Sequence, residues 1–274
     1  IKSSGTYRIE LQNGNHSYAF KIGNNVYKEV IDKLLLFMRV ARCGNTNALL
    51  HKPCHLNEAT NIELDLTGGW HDAGDFLKFT RSEAYTTYTL LLSYVINKKN
   101  YADRFSDLDL NGMVDVLDEA LIGLNYLIKV FPNDDVFVHQ VGDFDKDHDQ
   151  GFRLPEDDKL ASKNRPALIG FHRNVLCQYS FAMSLGYATF REIPEYRQAA
   201  NQYLELAKKA YSKAKVIGEK NMDKLCLAAT ELYRATGEEK YLKEAKEFND
   251  QLFDSDWGNW SDNTNLAHAR LAPF

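Results

Sequence analysis

The sequence predicts a mainly α fold entered from a short β segment. Three observations carry this: apolar and polar residues alternate over the first 24 positions, the apolar spacing lengthens to three or four from about residue 25, and Gly186, Pro194, Gly218 and Gly237 divide the later chain into helices joined by short turns.

In order, Tyr7, Ile9 and Leu11 share one face, Asn13-Gly14 reads as a turn, and Tyr18, Phe20 and Ile22 return as a second strand. A lone hairpin is at best marginally stable, so residues 1–24 are expected to complete a sheet whose other strands lie outside this chain. Val26, Val30, Leu34, Phe37 and Val40 then mark a helix that Gly44 is expected to end. Thr80 and Glu83 form a capping box ahead of Ala84, Tyr88, Leu91, Leu92 and Val95. A helix at about 116–131 carries Leu117, Leu121, Leu124 and Ile128. Residues 132–166, rich in Asp, Gly and Pro, read as an irregular stretch of the length that usually serves function. Further helices are expected at about 168–188, 196–213, 221–236 and 238–253.

Helical hairpins in series suit an open solenoid or a closed α/α barrel, and periodicity does not separate the two. The tail "YRATGEEKYLKEAKEF" has a tetratricopeptide look, but no repeat of about 34 residues is sustained.

A net charge of −5 with no concentrated basic face argues against a nucleic-acid partner and favours a neutral or polar substrate. The longest apolar runs, such as 34–38, fall far short of the roughly 20 residues that a bilayer span requires, so no membrane span is expected. No basic or apolar leader opens the sequence, which places any secretion signal upstream of Ile1. Four cysteines are too few for a disulfide scaffold, and Cys177 and Cys226, in apolar helical surroundings, read as core.

The stretch "GGWHDAGDF", residues 68–76, gathers the chemistry. Asp72 and Asp75 flank Ala73-Gly74, a pair small enough to let both carboxylates aim at one point, where one can orient a water and the other take its proton. The same spacing also fits a plain turn with an N-cap aspartate. His71 completes a possible Cys2His2 zinc set with Cys43, Cys54 and His55, although the spacing is not that of a zinc finger and two buried thiols with two surface histidines fit it too. In "DLDLNGMVDVLD", Asp107, Asp109, Asn111, Gly112, Met113, Asp115 and Asp118 fall at positions 1, 3, 5, 6, 7, 9 and 12 of a calcium loop, with Asp where Glu is usual; an acidic loop whose Asp115 caps the next helix is the alternative. "GDFDKDHDQ", residues 142–150, lacks the glycine of such a loop and reads as a solvated acidic segment. Trp257 and Trp260 either stack on sugar rings or cover a helix rim.

"GGWHDAGDFLKF" resembles the active-site segment of glycoside hydrolase family 9, and "DVLDEALIGLNYLIK", "HQVGDFDKDHDQGFRLPED" and "AATELYRATGEEKYLKEA" match that family in the same order. "SYAFKIGNNVY" is similar to the end of the immunoglobulin-like module of one branch. The resemblance implies an (α/α)6 barrel, of which residues 25–274 are the N-terminal part, packed against its own immunoglobulin-like domain and represented incompletely in this chain. It implies inverting hydrolysis of β-1,4-linked glucans such as cellulose or cello-oligosaccharides, with Asp75 as general base, Asp72 holding the water and His148 contacting the sugar. Arg153 and Glu156 would brace the His148 loop, and Phe152 stands where an aromatic platform is usual. "RCG" and "PCH" resemble the zinc-bearing branch, which implies structural zinc at Cys43, Cys54, His55 and His71. The family's general acid, a glutamate in an Asn-Glu motif, is expected beyond Phe274, so the chain is expected to be a piece of a secreted or periplasmic enzyme. An inactive fragment or homologue serving as an α-helical carbohydrate-binding or protein-interaction module is the competing expectation.

Overall fold

The computed structural model describes residues 3–24, 26–104, 110–158, 165–218, 220–253 and 261–274. The opening alternation does form a hairpin, with β1 (Gly5–Tyr7) antiparallel to β2 (Phe20–Ile22) and Tyr7 opposite Phe20. Gly14, at φ +82, supplies the left-handed residue of the turn. Ile9, Leu11 and Tyr18 stay exposed, so the hairpin buries little of the apolar face that its pattern announces.

Helix α1 (Lys28–Ala41) is apolar on more than one side, and the stripe the spacing selects is not the buried one. Leu35 is buried while Val30, Leu34 and Phe37 are exposed. Gly44 is not its C-cap. The helix ends at Ala41, Arg42 turns extended to bridge Trp70, and Gly44 bridges Cys54. A Cβ on Gly44 would stand 2.8 Å from the Gly68 nitrogen, so this glycine permits loops to touch.

Helix α2 (Thr80–Ile96) carries no capping box either. Thr80 Oγ1 donates to the Val138 carbonyl, and the Glu83 carboxylate accepts from Trp70 N; both side chains are buried and tie the helix to neighbouring segments. Helix α3 (Asp115–Val130) lies within a residue of its expected bounds.

The expected irregular stretch contains structure. β3 (Lys78–Phe79), β4 (Val138–Val141) and β5 (Ala167–Ile169) form a small antiparallel sheet in that order, with Lys78 opposite Val141 and an irregularity between Val138 and Gln140. The segment expected to be a solvated acidic loop forms a short helix, α4 (Phe144–His148), capped by Asp143. Asp147 within it is fully buried, 3.3 Å from Arg165 Nε.

The remaining helices are α5 (Arg173–Phe190), α6 (Arg197–Val216), α7 (Met222–Thr236), α8 (Glu239–Asn249) and α9 (Thr264–Leu271), the last not foreseen. α5 starts later than expected because 167–169 pair as strand. Gly186 sits inside α5 rather than ending it: a Cβ there would stand 2.7 Å from Leu124 Cδ2, so the glycine lets α3 and α6 side chains pack closely. Gly237 does act as a left-handed C-cap, its N–H donating to the Tyr233 carbonyl. α5 packs on α2, α6 and α7, while α7 also holds α8 and α9. α6 is buried only along Ala200, Tyr203, Ala207, Ala210, Tyr211 and Ala214, as befits an outer helix. The result is a mainly α barrel architecture of helical hairpins with a small sheet beside the 68–77 loop.

Candidate functional site

The loop that carries Asp72 and Asp75 is fixed from beneath by buried charge. Gly68 and Gly69 take φ +99 and +72, and a Cβ on Gly69 would meet the Glu83 carboxylate at 2.5 Å. Trp70 donates its backbone N–H to Glu83 Oε1 and its indole N–H to Glu119 Oε1, both at 2.7 Å. Glu119 is clasped in turn by Arg42, whose Nη2 lies 2.7 Å from Oε2. Burial raises the Glu83 carboxyl well above the ordinary carboxylate range.

From that floor the chain makes a tight turn. Asp72 N donates to the Leu77 carbonyl at 2.8 Å and Phe76 N to the Ala73 carbonyl at 3.0 Å. Phe76 sits at φ +62, a conformation that costs a bulky residue on the order of 1–3 kcal/mol and persists only where the surroundings hold it. They do: its ring packs on those of His55 and His71, Arg153 covers it at 4.7 Å, and Arg165 donates to its carbonyl.

The turn leaves Asp72 exposed and Asp75 at the rim with 14% of its side chain accessible. His148, 73 residues downstream, places Nδ1 3.3 Å from Asp75 Oδ2. Its ring is exposed and stacks parallel on Phe144, with centroids 5.4 Å apart. Phe152 is 97% exposed nearby in sequence.

On the other side of His71 the four expected metal-site residues come together. Ligand atoms of Cys43, Cys54, His55 and His71 all lie within 4.8 Å of one another. His71 Nε2 is 3.2 Å from His55 Nδ1 and 3.6 Å from Cys54 Sγ. The other ring nitrogen of His55 lies 3.2 Å from the buried Asp158 Oδ2, a carboxylate–histidine arrangement that fixes the tautomer and turns Nδ1 to the cluster. A hydrogen bond from Cys43 holds the Cys54 thiol below its ordinary pKa, while burial pushes Cys43 up. Two sulfurs and two imidazoles, enclosed and oriented, fit a closed tetrahedral zinc site.

Sequence reasoning missed the charged floor of the site. Glu58 accepts from Arg165 Nη1 at 2.8 Å and pairs with Lys78, whose Nζ also donates to the Leu66 and Gly68 carbonyls. Burial opposes charge on Lys78, but the acidic groups around it outweigh that and raise its pKa. Asp158 was visible only as one more acid in "LPEDDK", and Glu58 carried no signal.

The other expected sites are less gathered. Asp107 and Asp109 lie outside the described residues, as do Trp257 and Trp260. Of the calcium-loop residues that are described, Asn111 Nδ2 donates to Asp118 Oδ1 at 2.9 Å, and Asn111 Oδ1 accepts from Met113 N. Asp115 Oδ1 accepts from Arg104 N, and Asp103, not anticipated, accepts from Gly112 N at 2.7 Å. Cys177 and Cys226 are buried and unbridged, as expected, with the Cys226 thiol pushed up to about 12 by burial.

Helical hairpins whose loops bring Asp75 to an exposed histidine beside an enclosed cysteine–histidine cluster define an α/α-barrel protein with a polar site on one rim. The sequence model of glycosyl hydrolase family 9 matches residues 27–274, and the chain belongs to that family. It is 27% identical to a cellodextrinase of Butyrivibrio fibrisolvens over 93% of this chain and 51% of that protein. Its fold matches the cellulase Cel9M of C. cellulolyticum with a TM-score of 0.79 at 27% identity, covering 92% of this chain and 62% of that one. The same cellulase in complex with cellobiose matches with a TM-score of 0.78 at 26% identity, over the same shares of the two chains. The chain thus spans about half the length of the curated relatives it matches. Among the described residues, no helix is long and apolar enough to cross a membrane.

Proposed function

We propose that this chain carries the water-activating half of an active site that hydrolyses β-1,4-glucosidic bonds in cellulose, related β-glucans or cello-oligosaccharides. The observation that carries it is the convergence of Asp75 and His148 on one rim, beside the exposed Asp72. Asp75 accepts a proton from water as that water attacks the anomeric carbon, and Asp72 holds the water by its second hydrogen. His148, whose ring can donate and accept, meets sugar hydroxyls at the same rim. Protonation of the leaving oxygen requires a second carboxyl group roughly 6.5–9.5 Å from the base in an inverting site, and no glutamate of this chain is assigned to it. Cellodextrinase and cellulase relatives, one of them solved with cellobiose, support the substrate class. A polymeric substrate outside the cell would require a secreted or periplasmic enzyme.

Cys43, Cys54, His55 and His71 would hold zinc, which supplies no acid or base here and ties the end of α1 to the catalytic loop. The loop from Asp107 to Asp118 is proposed to hold calcium, a reading supported by the oxygen-bearing side chains of the buried Asp115 and Asp118. The hairpin at 1–24 is proposed as the end of an immunoglobulin-like module packed on the barrel.

In the active enzyme, Asp75→Asn is expected to lower kcat on a β-1,4-glucan roughly 10²–10⁴-fold with oligosaccharide binding retained. Unchanged release of reducing sugar would remove Asp75 from the reaction, and binding without hydrolysis by the unaltered protein would favour the carbohydrate-binding reading.

A further inference from the structure

Asp158 stands between the two halves of the site. It is buried, with no side-chain area accessible, and lies 103 residues from His55 in sequence. One oxygen, Oδ2, lies 3.2 Å from His55 Nε2 and accepts from Arg153 Nη2 at 3.0 Å. That same Arg153 nitrogen donates to the backbone carbonyl of Asp75 at 3.1 Å. The guanidinium also covers Phe76, whose other ring contacts are His55 and His71. Arg153 has only 9% of its side chain accessible, so solvent does not substitute readily for these bonds.

We infer that Asp158 and Arg153 form a positioning relay through which occupancy of the Cys43–Cys54–His55–His71 site sets the conformation of the Asp75 segment. The relay rests on the zinc reading above. Its logic is geometric: a ligand on His55 Nδ1 leaves Nε2 as donor, which fixes Asp158 Oδ2, and that oxygen orients the arginine that pins the Asp75 carbonyl. Without a ligand His55 is held from the Asp158 side and by ring packing alone, and the donor that faces Asp158 is less firmly fixed. The strained Phe76 conformation is what the relay protects, since a segment held at positive φ relaxes when its contacts loosen. His71 offers a second route, because it is bonded directly to Asp72. The two routes reach different amides: the backbone route acts first at Asp72, and the relay acts at Phe76 and Leu77.

The test uses the 274-residue chain with and without one equivalent of zinc, read by amide-resolved hydrogen exchange, with cobalt(II) absorption as an independent report of the ligand set. In the unaltered chain, zinc is expected to slow exchange at Asp72, Phe76 and Leu77 by ten-fold or more. Arg153→Lys keeps the charge against Asp158 but loses the planar fork that serves two acceptors. It is expected to bind one metal with an unchanged cobalt spectrum while the zinc effect persists at Asp72 and disappears at Phe76 and Leu77. Asp158→Asn is expected to weaken zinc binding roughly 10–100-fold and to remove the same two protections at saturating metal. If both variants keep the full zinc effect at Phe76 and Leu77, the relay is wrong and the coupling runs through His71 alone. If the unaltered chain takes up no metal, the zinc assignment fails and the relay with it.

Discussion

Glu119 accepts from two nitrogens of Arg42, Nε and Nη2, and from the Trp70 indole in a setting where neither charged side chain is more than 1% accessible. Removing one partner of such a pair leaves the other charged and dry, so Glu119→Ala is expected to cost about 3–5 kcal/mol in denaturant unfolding, far beyond an exposed glutamate. A loss under 1 kcal/mol would show the pair to be dispensable. Asp65 is a milder case at the edge of the same loop. Partial burial works against its ionisation, but hydrogen bonds from Lys129 and Thr67 prevail and lower its pKa from 3.8 to about 2. A depressed carboxyl contributes stability that is present above its unfolded pKa and is lost as pH falls through the folded one. Asp65→Asn is therefore expected to matter least at pH 2 and to lower stability slightly above pH 4, the effect being small because the side chain is well exposed. An equal loss at both pH values would assign the effect to packing.

At the scale of elements, the Cys43–Cys54–His55–His71 cluster joins the segment just after α1, the 54–55 loop and the 68–77 loop, none of which lies within a long helix or strand. Chelation of zinc is expected to lower the thermal midpoint of the chain, and Cys43→Ser to do so without further response to chelator. A midpoint indifferent to chelator would contradict a structural metal. The four members of the cluster were legible because Cys and His are rare here and carry their chemistry in their identity. The elements around them were legible only in part. Helices α3, α6 and α7 announced themselves by period, but the β3-β4-β5 sheet did not, because strands of two to four residues are too short to show alternation. Thr80 and Glu83 have the spacing of a capping box yet spend their polar groups on Val138 and Trp70, since burial made those tertiary partners available.

For the whole molecule, the class could be read from periodicity and from "GGWHDAGDFLKF" with three further matching stretches, whereas the support of the 68–77 loop could not. Glu58, Lys78, Asp147, Asp158 and Arg165 come from separate segments and meet only through the fold, so no local pattern marks them. In the function proposed above, Asp75 acts on a water and is not itself the group that attacks the sugar. The decisive measurement is the anomeric form of the first product released from a cello-oligosaccharide, followed by proton NMR before mutarotation. Asp75 acting as base on water predicts that the α-anomer accumulates first. First accumulation of the β-anomer would make the attacking group a protein carboxylate and contradict the assignment.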